Sequence, residues 1–250
     1  MSSVTTDERS EEGVDLQRLV LSDSVTIYHG DCLDILPSLN GIDAVISDPP
    51  YGINWNPDAS QFTGGEGRHF ACGRKPIIGD DEPFDPTPWL GFRKVVLWGA
   101  NYYPTPVGTT LVWIKRNEAN FGKILGDAEI AWMKGGETVY CKRDVSMNGK
   151  GANFPNLHQN QKPVAIMAWC MDKAKVAEGE TVIDGYMGSG TTGIACIRTG
   201  RNFIGIEKDP QHFETARQRL DAELAQGDLF RRENADLRHG VGNRASQPKE

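Results

Sequence analysis

A short stretch in the first quarter of the chain, residues 47–52 (SDPPYG), combines a carboxylate, a rigid turn and an aromatic ring. It follows directly on the apolar run 44–46, which has the composition of a buried strand. The two consecutive prolines stop the strand and stiffen the turn, because each ring fixes φ and removes a backbone donor. The Asp48 carboxylate and the Pro49 carbonyl can then accept hydrogen bonds from an amino group, while Tyr51 presents a face to a planar ring. Taken alone, the same string also fits an ordinary strand-to-loop turn with a packing tyrosine.

A second stretch with chemical potential is the glycine-rich turn at residues 184–192 (DGYMGSGTT), which lies between an apolar run and a helical pattern. Gly188 and Gly190 allow the backbone to approach a ligand closely. The free amides at the start of the following helix can bind a polar or anionic group. A phosphate-binding P-loop is disfavoured, because no lysine follows the second glycine.

An acid, Glu207, ends the apolar run 203–206 about twenty residues after the glycine turn. In nucleotide-binding α/β folds, a carboxylate at this place accepts hydrogen bonds from ribose hydroxyls. The segment 207–210 (EKDP) also fits a helix start, in which case Glu207 is a solvated acid. The spacing from Asp184 favours the ligand-binding interpretation.

The elements that would position these groups are short apolar runs that alternate with helical patterns. Several of the runs, such as VVLW and FIGI, are apolar on both faces, which favours parallel strands covered by helices on each side. Seven runs are predicted to be strands: Val25–Tyr28, Ala44–Ser47, Val95–Trp98, Thr110–Ile114, Ile130–Met133, Thr181–Ile183 and Phe203–Ile206. Four helices are predicted at 32–39, 163–177, 191–199 and 210–225. The pattern predicts an α/β fold with a doubly wound, mostly parallel seven-stranded sheet.

The chain length of 250 residues is typical of one such domain with insertions. We predict tails at residues 1–21 and 226–250, which are polar and lack periodicity, and a single domain over 22–225. Two stretches rich in glycine and polar residues, 54–88 and 134–160, show no periodicity and are predicted to be either functional lids or poorly ordered loops.

Composition narrows the classes of function. No apolar run approaches the length of a membrane span and the first residues lack an apolar signal core, so we expect a cytoplasmic protein. The five cysteines and five histidines are scattered without metal-ligand spacing, so no metal site is predicted. The net charge of −7 does not favour nucleic acid as a partner, but residues 111–162 carry eight Lys and Arg against five Asp and Glu.

Taken together, these motifs resemble the DNA amino-methyltransferases, specifically the circularly permuted (beta) group in which the DPPY motif precedes the glycine-rich motif. The resemblance runs from about residue 22 to residue 220. The family pattern D-P-F-x-G-S-G-T-T has Gly185 and Tyr186 in place of its proline and phenylalanine, a departure that bears on loop rigidity. The family segment H-P-T-Q-K-P corresponds to residues 158–163 (HQNQKP), and residues 98–103 (WGANYY) resemble a segment of phage and prophage members.

The resemblance implies a Rossmann-like methyltransferase fold, S-adenosylmethionine as cofactor and double-stranded DNA as substrate. The implied catalytic residues are Asp48, Pro49, Pro50 and Tyr51. The implied cofactor-binding residues are Asp31, Lys162, Asp184, Tyr186, Gly188, Ser189, Gly190, Thr191 and Glu207. For Asp31, helix N-capping of the segment 32–39 is an equal alternative.

The implied reaction is methyl transfer to the exocyclic amino group of a base that has been flipped out of the duplex. It needs an aligned nitrogen lone pair, which acceptors at Asp48 and Pro49 would favour by holding the amino protons. Target recognition would use residues 54–90 and 115–160, with Lys115, Arg116, Lys142, Arg143 and Lys150 as candidates for phosphate contacts or as solvated loop residues.

Family habit favours adenine N6 over cytosine N4, because aspartate leads this motif more often in adenine enzymes. Two alternatives are methylation of RNA or of a protein glutamine, and a non-enzymatic nucleotide-binding module that would have no need for DPPY. A homodimer is compatible with the sequence. The resemblance extends to enzymes of phage or prophage type and of restriction-modification type, and no residue identifies a restriction endonuclease partner.

Overall fold

The computed structural model of the protein describes residues 17–54, 77–122, 126–146 and 161–240, with side chains described up to residue 227. The strands in these ranges are β1 (Gln17–Ser22), β2 (Val25–His29), β3 (Ala44–Ser47), β4 (Lys94–Trp98), β5 (Gly108–Ile114), β6 (Ala128–Arg143), β7 (Thr181–Asp184) and β8 (Asn202–Glu207). The α-helices are α1 (Cys32–Ile35), α2 (Thr87–Leu90), α3 (Val164–Lys173), α4 (Thr191–Arg198) and α5 (Pro210–Gly240). Short 3-10 helices lie at Leu36–Ser38 and Glu118–Asn120.

All eight strands form one sheet in the order β1-β2-β8-β7-β3-β4-β6-β5. The five strands from β2 to β4 are parallel to their neighbours, whereas β1 is antiparallel to β2 and β6 is antiparallel to β4. The predicted α/β fold with a mostly parallel sheet is confirmed, and each of the seven predicted strands is present. The sheet has one strand more than predicted, because β1 extends it at one edge.

The long strand β6 encloses β5 between its two halves. Leu111 in the middle of β5 pairs with Ala131 from the first half of β6 and with Tyr140 from the second half. The chain turns between the halves at Gly135 and Gly136, whose φ angles of 85° and 69° are accessible to glycine at no steric cost. The prediction of a loop from residue 134 onward is therefore wrong up to Arg143, where β6 ends.

Helices cover both faces of the sheet. One apolar cluster joins the sheet to α3, α4 and α5 through side chains such as Met167, Ala195 and Leu220. A second cluster on the opposite face joins it to α1 and α2 through side chains such as Ile35 and Trp89. The sheet is thus the middle layer of three, and its central strands are buried on both faces, as their continuous apolar composition predicts.

Both predicted tails are shorter than expected. Residues 17–21 belong to β1, where Leu19 is only 8% exposed and pairs with Ile27. The last helix was predicted to end at residue 225 and continues to Gly240, because residues 228–238 are rich in Leu, Arg, Glu and Ala, which favour helix. Residues 1–16 and 241–250 lie outside the described residues. No helix in the described ranges has the length and apolar character needed to cross a bilayer.

Candidate functional site

The centre of the candidate site is the pair of neighbouring parallel strands β3 and β7. From β3 the chain continues to β4 on one side, and from β7 it continues to β8 on the other side. Ligands of open α/β sheets bind at such a switch point, beyond the carboxyl ends of the strands. Ser47, at the end of β3, donates its hydroxyl hydrogen to Asp184 Oδ1 at the end of β7, at 2.5 Å. The stiff proline turn and the glycine turn therefore begin side by side.

The Asp48 carboxylate is held by two donors. Tyr51 Oη donates to Asp48 Oδ1 at 2.8 Å, and Lys162 Nζ lies 2.5 Å from Asp48 Oδ2. The Asp48 side chain remains 21% exposed, whereas that of Lys162 is only 4% exposed. Burial raises the pKa of Asp48 above its ordinary value, and the neighbouring Lys162 cation opposes this rise. The structure thus places two predicted catalytic residues in direct contact.

The ring of Tyr51 packs against a second tyrosine and a glycine. It stacks on Tyr102 with ring centroids 5.0 Å apart and an interplanar angle of 15°. It also lies against Gly99, where an added Cβ would overlap the ring and where φ is 81°. The segment 98–103 therefore fixes the position of the Tyr51 ring. Tyr102 is 49% exposed, which leaves the stack open to solvent.

Asp80 fixes the backbone of the proline turn, a role that the sequence did not predict. Its Oδ1 atom accepts hydrogen bonds from the amides of Tyr51 and Gly52, both at 2.9 Å, and Asp80 is only 3% exposed. Gly52 has φ of 72°, and an added Cβ there would lie 2.6 Å from the Glu82 carbonyl oxygen. The segment around residue 80 therefore packs closely on the turn and defines its shape.

Asp184 organises the glycine turn from within the protein. Besides the bond from Ser47, its carboxylate accepts hydrogen bonds from Thr192 Oγ1 at 2.6 Å and from the Tyr186 amide at 3.1 Å. Burial raises the pKa of Asp184 to about 6, although these hydrogen bonds oppose the rise. Asp184 is only 2% exposed, and its described contacts are all with neighbouring protein groups. Its role in this structure is therefore to stabilise the conformation of the glycine turn.

The side chain of Glu207 accepts a hydrogen bond from the backbone of the glycine turn. Its Oε2 atom accepts the Gly188 amide at 2.9 Å, and its Oε1 atom accepts the Asp209 amide at 2.7 Å. Gly188 and Gly190 have φ of 52° and 79°, as a turn that depends on glycine requires. Burial raises the pKa of Glu207 above its ordinary value. A carboxylate has about four acceptor positions, so two remain for hydroxyl donors.

The start of α4 contains a polar group without a partner. The Thr191 hydroxyl is buried and makes no hydrogen bond with the described residues. Its neighbour Ser189 is 4% exposed, and the Ser189 carbonyl accepts a hydrogen bond from Arg219. Buried hydroxyls normally have partners, and an unpaired one beside a glycine turn is suited to a polar ligand atom.

Trp89 explains the departure from the family pattern at residues 185 and 186. A Cβ at Gly185 would overlap the indole of Trp89, so the proline of the family pattern would not fit here. The ring of Tyr186 lies 5.9 Å from the rings of both Trp89 and Phe84. Aromatic packing therefore supports the turn in place of the proline, which answers the question of loop rigidity.

Asp31 caps a helix, as one of its two interpretations predicted. Its Oδ1 atom accepts the Leu33 amide at 2.9 Å at the start of α1, and its Oδ2 atom lies 3.0 Å from Lys208 Nζ. The preceding Gly30 amide donates to the Glu207 carbonyl at 3.0 Å. Asp31 is thus next to the Glu207 strand end, and its cofactor contact stays a prediction.

Several residues predicted to contact phosphates are paired within the protein. Lys115 Nζ lies 2.8 Å from Glu129 Oε1, Arg116 Nε lies 3.8 Å from Asp127, and Arg143 lies 3.2 Å from Glu118. Lys142 Nζ donates to the Ala165 carbonyl at 3.1 Å. Lys150 and residues 158–160 lie outside the described residues. Phosphate contacts by the paired residues would require exchange of these partners, so the DNA interface stays a prediction.

Comparison with known proteins identifies the family. Residues 94–218, half of the chain, match the family model N6_N4_Mtase, described as DNA methylase. Over 121 residues the chain is 29% identical to the type II methyltransferase M2.DpnII of Streptococcus pneumoniae, and over 119 residues it is 27% identical to M2.LlaDCHI of Lactococcus lactis subsp. cremoris. These alignments span 48% of this chain and only 45% and 44% of the two relatives.

A solved structure of M1.HpyAVI in complex with SAM is similar with a TM-score of 0.48 and 23% identity, over 78% of this chain and 100% of that one. The family match spans strands β4 to β8 and thus includes the glycine turn and Glu207. The chain belongs to the N6_N4_Mtase family of DNA methylases.

Proposed function

We propose that the protein is an S-adenosylmethionine-dependent DNA methyltransferase that methylates the exocyclic amino group of a flipped base, namely adenine N6. The observation that carries the proposal is the contact between Ser47 and Asp184, which brings the DPPY turn and the glycine turn to adjacent strand ends. Family membership supports the reaction class, and the aspartate at the head of the motif favours adenine.

The residues around the glycine turn fit the cofactor. Gly188 and Gly190 have the positive φ angles that shape the turn, and the buried Thr191 hydroxyl has no partner among the described residues. Glu207 keeps acceptor capacity for ribose hydroxyls, and Tyr186 contributes an aromatic ring at the same turn. The cofactor, when bound, supplies an electrophilic methyl group on a sulfonium. Asp31 and Ser189 complete the proposed binding set.

On the substrate side, Asp48 and the Pro49 carbonyl accept hydrogen bonds from the amino group of the base. Holding both protons in this way favours a more tetrahedral nitrogen and stabilises the positive charge that develops on it. Pro50 keeps the turn rigid. Tyr51 stacks on the flipped base in place of Tyr102, whose ring covers one face of Tyr51 here. A base that bonds to Asp48 Oδ1 must share it with, or displace, the Tyr51 hydroxyl that occupies it here.

Double-stranded DNA is the proposed partner, with residues 54–90 and 115–160 as the proposed recognition segments. We propose a cytoplasmic enzyme of a restriction-modification system and retain the homodimer as a prediction. Light scattering of the full chain, alone and with a DNA duplex, measures the oligomeric state.

The test is transfer of tritiated methyl from S-adenosylmethionine to duplex DNA, followed by mass spectrometry of the nucleosides. We expect N6-methyladenine with the natural protein and none with Asp48→Ala. N4-methylcytosine in its place would retain the enzyme class and change the base. Label that enters only RNA or protein, or no label in any substrate, would contradict the proposal.

A further inference from the structure

Four charged side chains of alternating sign form a continuous chain behind the proline turn. Lys162 Nζ lies 2.5 Å from Asp48 Oδ2 and 3.0 Å from Glu129 Oε2. The other oxygen of Glu129 lies 2.8 Å from Lys115 Nζ. Glu129 is on β6 and Lys115 follows β5, so the chain of charges runs from the end of β3 across the carboxyl edge of the sheet.

The ammonium group of Lys162 has no donor to spare. It has three hydrogens, and three acceptors surround it: Asp48 Oδ2, Glu129 Oε2 and Tyr51 Oη, the last at 3.2 Å. Trp98 and Tyr51 also present their rings to it at 5.3 and 5.8 Å. With its side chain only 4% exposed, Lys162 has one orientation that satisfies all of its partners.

The charge states of the group are mutually dependent. Burial alone would lower the pKa of Lys162, yet the adjacent Asp48, Tyr51 and Glu129 raise it well above its ordinary value. Burial alone would raise the pKa of Glu129, yet Lys162 and Lys115 lower it to about 2. Lys162 is therefore a cation and Glu129 an anion at neutral pH. Burial of the Lys162 cation with Asp48 as its only carboxylate partner would cost free energy. The carboxylate of Glu129 reduces this cost.

We propose that Lys162 and Glu129 are positioning residues for Asp48, an inference that rests on the proposed function. Lys162 fixes the orientation of the Asp48 carboxylate and favours its ionised form, ready to accept hydrogen bonds from an amino group. Glu129 holds Lys162 in place and offsets its charge. Without that offset, Lys162 would oppose the positive charge that develops on the amine nitrogen during methyl transfer.

This role differs from the cofactor contact that the sequence comparison implied for Lys162, since all three described partners of its ammonium belong to the proline turn or to β6. No motif marked Glu129, which lies 33 residues before Lys162 in the chain. Within the part of the chain that the structure describes, the groups that act electrostatically on Asp48 or are acted on by it are Lys162, Glu129, Tyr51, Tyr103, Asp184 and Cys170.

The two proposed residues have opposite effects on Asp48, which provides a test. Lys162→Met removes a cation and should raise the pKa of Asp48, whereas Glu129→Gln removes an anion and should lower it. The Asp48 carboxyl carbon is followed by 13C NMR in the full chain, labelled at aspartate, with its resonance assigned by Asp48→Asn. This titration needs neither cofactor nor DNA, so its outcome is independent of whether the protein methylates DNA.

Methylation rates provide the second measurement. Lys162→Met should lower kcat by roughly 100-fold, as expected when a reacting group loses its position, while Lys162→Arg should restore part of the rate. Cofactor affinity, measured by calorimetry, should stay within about twofold of the natural protein in all three variants, because none of the described contacts of Lys162 is with the glycine turn. A loss of cofactor affinity in Lys162→Met would overturn the assignment.

Controls of the same chemistry are Lys134→Met and Glu137→Gln, both on exposed positions of β6. Neither should move the Asp48 titration. If Lys162→Met does not fold, Glu129→Gln alone tests the proposal, which requires a lower pKa of Asp48 in that variant. Shifts of the same sign in both variants, or an unchanged titration in Glu129→Gln, would overturn the proposal. Wild-type protein that shows the titrations but methylates no DNA would instead contradict the proposed function.

Discussion

Ser47 donates a hydrogen bond to Asp184 at 2.5 Å, although 137 residues separate them in the chain. The two residues end adjacent parallel strands, and each is followed immediately by a turn with chemical groups. Because both side chains are buried, this bond fixes the spacing between the amine-binding turn and the glycine turn. Near-attack geometry in methyl transfer depends on that spacing.

Asp48→Ala should abolish turnover and leave cofactor affinity nearly intact. The substitution removes an acceptor for the amino group, whereas the described contacts of the glycine turn do not include Asp48. Methyl transfer is measured with tritiated cofactor and affinity by calorimetry. Loss of cofactor affinity in Asp48→Ala would contradict the division of roles between the two turns.

Tyr51→Ala should slow methyl transfer, because the flipped base loses the ring on which it stacks. The same tritium assay measures the rate. A fully active Tyr51→Ala protein would contradict the stacking role.

Asp80→Ala should lower kcat by about 10- to 100-fold, because the amides of Tyr51 and Gly52 lose the acceptor that fixes them. Loss of the acceptor for these two part-buried amides should also lower the free energy of unfolding, by about 1–3 kcal/mol for the two bonds together. Asp80→Asn keeps an acceptor oxygen and should retain more activity. The exposed neighbour provides a control in Asp81→Ala. Equal activity in Asp80→Ala and Asp81→Ala would show that Asp80 does not position the turn.

Gly99→Ala should reduce activity by displacing the Tyr51 ring, which an alanine Cβ would overlap. The positive φ of Gly99 adds backbone strain, so the thermal midpoint should also fall. Gly91→Ala is a matched control, since an added Cβ at that position meets nothing within 4 Å. Steady-state methylation and thermal unfolding of both variants give the comparison. A Gly99→Ala protein as active as the natural one would show that the contact with Gly99 does not position the Tyr51 ring.

Asp184 should make the stability of the protein depend on pH between about 4 and about 6. Burial raises its pKa to about 6 in the folded protein, from an ordinary value of 3.8, so the folded state binds this proton more tightly than the unfolded chain does. The free energy of unfolding attributable to Asp184 therefore falls as the pH rises through this range and is constant above it. Asp184→Asn removes this contribution.

The measurement is urea denaturation of the natural protein and of Asp184→Asn at several pH values. Other carboxylates titrate equally in both proteins, so the difference between the two stability curves isolates Asp184. The asparagine remains compatible with its neighbours, because the hydroxyls of Ser47 and Thr192 can rotate to accept as well as donate. Parallel curves from pH 4 to pH 7 would refute the assignment of a raised pKa.

The elements with local signals were predictable from the sequence. The central strands appear as apolar runs because both of their faces are buried, and the turns at Asp48 and Gly188 are marked by proline and glycine. The edge strand β1 was missed, since its apolar run is only three residues long, from Leu19 to Leu21, and follows directly on a polar and charged segment. The second half of β6 was missed because its exposed positions have no apolar periodicity.

The residues that support the site were not predictable, because their roles depend on contacts between distant segments. Asp80 lies in an acidic loop that has no motif. Only the fold places it beside the amide of Tyr51, which is 29 residues earlier in the chain. Trp89 occupies the space that Gly185 leaves, and neither residue signals the other along the chain. Glu129 becomes part of the site only because β6 runs antiparallel beside β4. Local motifs thus located the site, and tertiary packing determined its supporting residues.

The order of strands in the sheet has a consequence for synthesis on the ribosome. Strand β3, with all four of its residues buried, emerges from the exit tunnel well before β7, the neighbour that covers one of its edges. A nascent chain that ends before residue 181 therefore has β3 paired with β4 alone, and the other edge of this apolar strand is left uncovered. The DPPY turn gains the glycine turn opposite it only after β7 has been made, so a chain truncated before β7 is expected to bind chaperones and lacks the glycine turn altogether.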